Sequence, residues 1–144
     1  LLALYRQPAQ ISELPYKKPD NLEQAAVDAR RQNNLNQLEI QAKKDPSLTL
    51  LNQLADLYRR EAEASKTQKA EWYQKALATL ENAEKRYPTD GLTQLNKAVI
   101  ASQLKDWGIA NAAIFKASQR MPDSAEVFIT FAEIKRAQKQ FSEA

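Results

Sequence analysis

From residue 21 onward, apolar side chains recur at three- and four-residue steps, the spacing that lines one face of a helix. Leu22, Ala25, Ala26 and Ala29 form the first stripe, and the polar run Gln32-Asn33-Asn34 is expected to end it. Leu35, Leu38, Ile40 and Ala42 mark a second helix from Leu35 to Lys44, closed by Asp45-Pro46-Ser47. A third begins at Leu48 as LTLLNQLADLYRREAEA, with Leu51, Leu54, Ala55 and Tyr58 on one face and Ser47 placed to cap it. Its neighbour contains Trp72 to Tyr87 and aligns Tyr73, Ala76, Leu77, Leu80, Ala83 and Tyr87. Asp90 is expected to cap a helix over 92–104, and Lys105-Asp106 to turn the chain into another over 107–120. Beyond Met121-Pro122-Asp123-Ser124, Asp123 and Glu126 have capping-box spacing ahead of a helix over 125–139, and residues 140–144 are expected to begin one more.

One of these patterns returns. Ala76, Leu80, Ala83 and Pro88 come back in the same order and spacing as Ala110, Ile114, Ala117 and Pro122, and Ala144 stands at the same interval beyond Ala110. A fixed return of small, large, small and proline marks an internal repeat. Small residues let two antiparallel helices approach, large ones fill the gap, and proline stops the second helix. No stretch reads as a hairpin, since Asp90-Gly91 lies between helical patterns. The expected class is all-α.

The helix pairs resemble the tetratricopeptide repeat, whose pattern is W-x2-L-G-x2-Y followed by A-x3-F and a closing proline. Leu51, Leu54, Ala55 and Tyr58 match its first helix, as do Phe128, Phe131, Ala132 and Lys135, while Gln94, Lys97, Ala98 and Ala101 keep only the small Ala98. Ala76-x3-Leu80 and Ala110-x3-Ile114 match the second helix. The resemblance implies an α-solenoid of antiparallel helix pairs over 21–144, about three pairs plus a partial repeat. The pair at 21–44 is degenerate, with Asn34 and Gln41 where alanine is expected, as suits a capping unit. The step from Tyr58 to Ala76 is twice the step from Lys135 to Ala144, and the charged insert RREAEASKTQKAE that fills it either lengthens both helices of that pair or loops out. Ala144 falls where a partner helix would begin, which suggests a fragment of a longer array.

Residues 1–20 are different in kind. Leu1-Leu2-Ala3-Leu4-Tyr5-Arg6 is a short apolar hexamer, readable as the tail of an upstream membrane anchor or as a strap on the repeats. Pro8, Pro15 and Pro19 then favour an extended linker. No apolar run approaches the ~20 residues that span a bilayer, so membrane association is expected only through an anchor upstream of Leu1.

Composition narrows the chemistry. The chain has no cysteine and no histidine, which removes disulfides, thiolate chemistry, ordinary zinc sites and histidine acid–base catalysis. Asp56, Glu61, Glu63 and Glu133 supply carboxylates without a nucleophile or a metal set beside them, so neither an enzyme nor a cofactor is expected. The 21 basic and 18 acidic residues are interleaved, giving a net charge of +3. The doublets Lys17-Lys18, Arg30-Arg31, Lys43-Lys44 and Arg59-Arg60 are scattered among acids, which disfavours nucleic acid. Tyr73, Trp107 and Phe141 recur at the interval of the alanines and are read as filler between helices, with Trp72 one position off and more exposed.

What remains is a binding surface. In the repeat family the first helix of each pair lines a hollow groove. Carried onto this chain, the groove positions are Asn52, Asp56 and Arg59, then Leu92, Leu95, Asn96, Val99 and Gln103, then Glu126, Thr130 and Glu133. One family use clamps a C-terminal carboxylate with Lys, Asn and Arg, of which only Asn96 matches. Leu92, Leu95 and Val99 in the middle suit a partner helix or an extended peptide with apolar anchors. The expected function is a scaffold for a protein or peptide partner within a larger complex. Resemblance to bacterial envelope proteins adds an assembly or export role at the periplasm or membrane. The competing readings are an RNA- or polymer-binding solenoid and a self-association or spacer module.

Overall fold

Residues 20–144 are described by a computed structural model, and among them the chain forms helices and no strand. The apolar hexamer, Pro8, Pro15, Pro19 and the Lys17-Lys18 doublet lie outside the described residues. Contacts divide the chain into two units, one ending at Asn33 and the other covering Asn34–Ala144.

The boundary falls inside helix α1, Asn21–Lys44, a single helix of 24 residues. The break expected at Gln32-Asn33-Asn34 is absent. Glutamine and asparagine cost a helix only a few tenths of a kcal/mol each, and no glycine or proline stands there to stop it. The first unit's part of α1 opens on a reciprocal cap: Glu23 N–H donates to Asp20 Oδ1 at 2.8 Å, and Asp20 N–H to Glu23 Oε2 at 3.3 Å. Its stripe is not buried, with Leu22 82% exposed and Ala25, Ala26 and Ala29 exposed as well.

The second unit contains the rest of α1 and five more helices: α2 Leu48–Ala64, α3 Lys69–Arg86, α4 Gly91–Gln103, α5 Trp107–Arg120 and α6 Ala125–Glu143. Ser47, Asp90, Asp106 and Ser124 cap α2, α4, α5 and α6 with side-chain oxygens on the third residue's N–H. Ser124 takes the place expected for Asp123. The repeat maps Asp90 onto Ser124, and helical backbone starts only at Ala125.

α3 runs back along α2. At one end the Tyr58 and Trp72 rings lie 5.9 Å apart, and at the other the Tyr87 hydroxyl donates to the Pro46 carbonyl at 3.3 Å. The charged insert lengthens both helices, to 17 and 18 residues against 13 and 14 in α4 and α5, and leaves only a short connection at 65–68. In the same way the end of α5 returns to the start of α4. A Cβ placed on Gly91 would stand 3.1 Å from Arg120 Cβ and 2.7 Å from Met121 Cγ, so glycine is what permits the approach. α3 also packs on α4, and α6 packs on both α4 and α5.

The alanines sit in the seams. Ala55, Ala76, Ala83, Ala98, Ala101, Ala110, Ala113 and Ala117 are all buried, with Leu80 and Ile114 as the large residues between them. One cluster joins Leu35 and Ala42 of α1 to α2 and α3, and a second joins α4, α5 and α6. Tyr73 is buried as filler, Trp107 is partly buried, and Phe141 is half exposed with its ring 5.8 Å from Trp107.

Residues 140–143 continue α6 and begin no new helix. One repeat earlier, the turn rests on Lys105 at a φ of 59° and on the capping carboxylate of Asp106. Gln140 stands where Asp106 stood, and without that cap the helix runs on.

Candidate functional site

Three hollows adjoin one another along α2, α4 and α6. The largest, about 620 Å³, lies over the start of α2 and is walled by Leu38, Leu48, Leu57 and Leu92, with Asn52, Asp56, Arg60 and Asp90 at its edge. The next, about 330 Å³, is lined by Asp56, Arg59, Glu63, Asn96, Val99, Gln103 and Glu126 among others. The third, about 260 Å³, is bounded by Val99, Gln103, Thr130, Glu133 and Arg136. Asp56 belongs to the first and second, and Val99 and Gln103 belong to the second and third. Asn52, Asp56, Arg59, Leu92, Asn96, Val99, Gln103, Glu126, Thr130 and Glu133 therefore all line one continuous face.

Leu95 does not. It is 2% exposed and packed in the core with Ala98, Ala110 and Ile114. Thr130 lines the third hollow from below and is itself 8% exposed, so it offers a floor more than a handle. Of the apolar wall of the first hollow, Leu92 was named from sequence, and Leu38, Leu48 and Leu57 were missed. Leu57 lies off the Leu51, Leu54, Ala55 and Tyr58 stripe, and such an apolar residue outside a helix's core face is the signal that was there to read.

The polar groups are already engaged with one another. Asn96 Nδ2 donates to Asn52 Oδ1 at 3.2 Å, while Asn52 Nδ2 donates to the Leu48 carbonyl at 3.0 Å. Arg59 donates to Asp56 at 2.7 Å and to Glu63 at 2.5 Å, and Arg60 reaches Asp56 at 2.9 Å. Its hydrogen bond with Asp56, against a smaller effect of burial, raises the pKa of Arg59 further. The side chains of Glu126 and Glu133 make no hydrogen bond or ion pair within the described residues. Taken around the three hollows, Asp56, Glu63, Asp90, Glu126 and Glu133 face Arg59, Arg60 and Arg136, an acidic balance on a chain whose net charge is +3.

Trp72 is partly buried beside Tyr58, and Lys75 Nζ lies 4.7 Å from the Trp72 ring centre and 5.9 Å from that of Tyr58. Tyr58 in turn donates to Glu39 Oε1 at 2.6 Å, and burial followed by that bond pushes its phenol well above the usual range. This aromatic group closes a seam away from the three hollows. Among the described residues no helix is long and apolar enough to cross a membrane, and no group of three or more His, Cys, Asp or Glu could hold a metal ion. No family model, curated protein or solved structure matches this chain.

Proposed function

We propose that the chain is a non-enzymatic helical-repeat scaffold of tetratricopeptide type that holds a polypeptide along the face of α2, α4 and α6. One observation carries this reading. The residues projected onto a groove from the repeat pattern alone, Leu95 apart, line three hollows that share members and run into one another. Leu38, Leu48, Leu57 and Leu92 give an apolar anchor site, and Val99 lies between the two polar hollows. That combination suits a short helix or extended segment with one large apolar side chain and polar flanks.

The charges argue against a phosphate chain. Arg59 and Arg60 are spent on Asp56 and Glu63, and the carboxylates of Glu126 and Glu133 stand free on the same face. A nucleic acid needs uncompensated cations. The carboxylate clamp is likewise unsupported, because Asn96 is bonded to Asn52 and no lysine lines its hollow, Lys97 being paired with Glu84.

The test is selection of peptides from a random library on the wild-type protein, followed by their affinity for Val99→Glu and Leu57→Glu. Loss of binding by about tenfold or more in both variants, with helix content unchanged, is expected. Peptides that bind both variants as well as wild type would move the binding face elsewhere.

A further inference from the structure

A cleft of about 430 Å³ lies between α1 and α3 over α2, and it shares no lining residue with the three hollows. One repeat on, a second cleft of about 390 Å³ runs along α3 beside α4. Their first walls follow one pattern. Glu39, Ala42, Lys43 and Pro46 line the first cleft, and Glu81, Glu84, Lys85 and Pro88 line the second at identical spacing. The one change within that frame is Ala42 in place of Glu84. In the second cleft Glu84 supplies an internal anion, held by Lys97 at 2.7 Å and Lys116 at 3.2 Å. In the first, Ala42, Leu54 and Asn82 stand where Glu84, Lys97 and Lys116 stand in the second. Its floor is therefore apolar, made by the buried Ala42, Leu51 and Leu54.

The first cleft loses the internal anion but keeps cations, and they are free. Arg120 donates to the Pro88 carbonyl. Its counterpart Arg86 is released from that task, because Tyr87, which stands where the next repeat has Met121, donates its hydroxyl to the Pro46 carbonyl at 3.3 Å. Arg86 Nε donates to Asn82 Oδ1 at 3.1 Å, which leaves both Nη atoms without a partner among the described residues. Lys43 makes no hydrogen bond or ion pair among them either. Glu39, one turn before Lys43, already accepts from the Tyr58 hydroxyl at 2.6 Å. We infer that this cleft binds a small amphiphilic carboxylate, with its charge between Lys43 and Arg86 and its apolar body over Leu51 and Leu54. The ligand's carboxylate replaces the one that Glu84 provides in the next cleft, and charge-assisted bonds from a lysine and a guanidinium hold it. An apolar floor with a few polar groups converging on it is the usual make-up of a small-ligand site. From Leu51 to Tyr58 the floor runs about 10 Å along α2, room for a chain of modest length.

The test is a titration of sodium octanoate into the full chain, followed by backbone amide chemical shifts. Saturable one-to-one binding is expected, with the shifts centred on Lys43, Leu54 and Arg86. Acetate lacks the apolar body and 1-octanol lacks the charge, so each should bind at least about tenfold more weakly. Lys43→Gln and Arg86→Gln, both at exposed positions, should each weaken octanoate at least about fivefold. Ala42→Glu puts the anion of the next cleft into this one and should abolish binding. Lys85→Gln, in that next cleft, should leave it unchanged. Circular dichroism checks the fold, and if Ala42→Glu does not fold, the two exposed variants decide. Absence of saturable shifts, shifts centred on other residues, or acetate or octanol binding as tightly as octanoate overturns the inference. So does an affinity for octanoate that Lys43→Gln and Arg86→Gln leave at the wild-type value.

Discussion

Glu84 ties three helices together. One carboxylate oxygen accepts from Lys97 at 2.7 Å and the other from Lys116 at 3.2 Å, linking α3 to α4 and α5. Burial alone would raise its pKa, but the bonds from Lys97 and Lys116, with the charge of Lys97 and the amide of Gln94, bring it from 4.5 down to about 2. A carboxyl held lower in the folded state stabilises above its unfolded value and loses that contribution as pH falls through the folded one. Wild-type melting temperature should therefore drop between pH 4.5 and about 2. Glu84→Gln should be less stable at neutral pH by about 1–2 kcal/mol and should fall less steeply over that interval. A wild-type-like acid profile in the variant would remove Glu84 from the account. Lys105 offers the opposite case. Its φ of 59° is a left-handed conformation in the turn between α4 and α5, so Lys105→Gly should stabilise by roughly 0.5–1 kcal/mol in denaturant unfolding. Leu95 and Val99 separate two roles that looked alike in sequence. Leu95→Lys would bury a charge in the core and should cost about 3 kcal/mol or more, while Val99→Glu should keep the melting temperature within about 1 kcal/mol equivalent of wild type.

At the scale of elements, the seams are made by alanine and the stops by caps. Ala83 is fully buried between α2 and α3, so Ala83→Trp should destabilise by at least about 1–3 kcal/mol through overpacking, read as a lowered melting temperature. The Trp107–Arg120 helix and the Ser47 and Asp90 caps were legible because each has a local signature: an apolar period and an oxygen-bearing side chain before it. Three boundaries were not. Gln32-Asn33-Asn34 looked like a break but is merely a weak helix former inside α1. Asp123 and Ser124 are adjacent cap formers, and which one begins the helix depends on how Met121 and Pro122 close α5. The run to Glu143 was hidden because the cap that Asp106 supplies one repeat earlier has no counterpart at Gln140.

For the whole molecule, one face gathers the three hollows. The face along α2, α4 and α6 offers an apolar hollow and two polar ones. Because Arg59 and Arg60 on the face are paired to its own Asp56 and Glu63, binding of library-selected peptides should change little between low and moderate salt, by less than about threefold. A steep loss with salt, of the order expected when several phosphates are contacted, would favour the polymer-binding alternative instead.

The amino-acid order by itself determined that the chain is helical, where most helices start, and which alanines form the seams. Each of those depends on propensity, capping and a periodic return, all of which act over a few residues or repeat at a fixed interval. Only the tertiary structure decided that Leu95 faces inward, unlike the other projected positions, and that Leu38, Leu48 and Leu57 join Leu92 in one wall. A side chain's exposure depends on the rotation of its helix and on neighbours far away in sequence, and a single step along a helix turns it by about 100°.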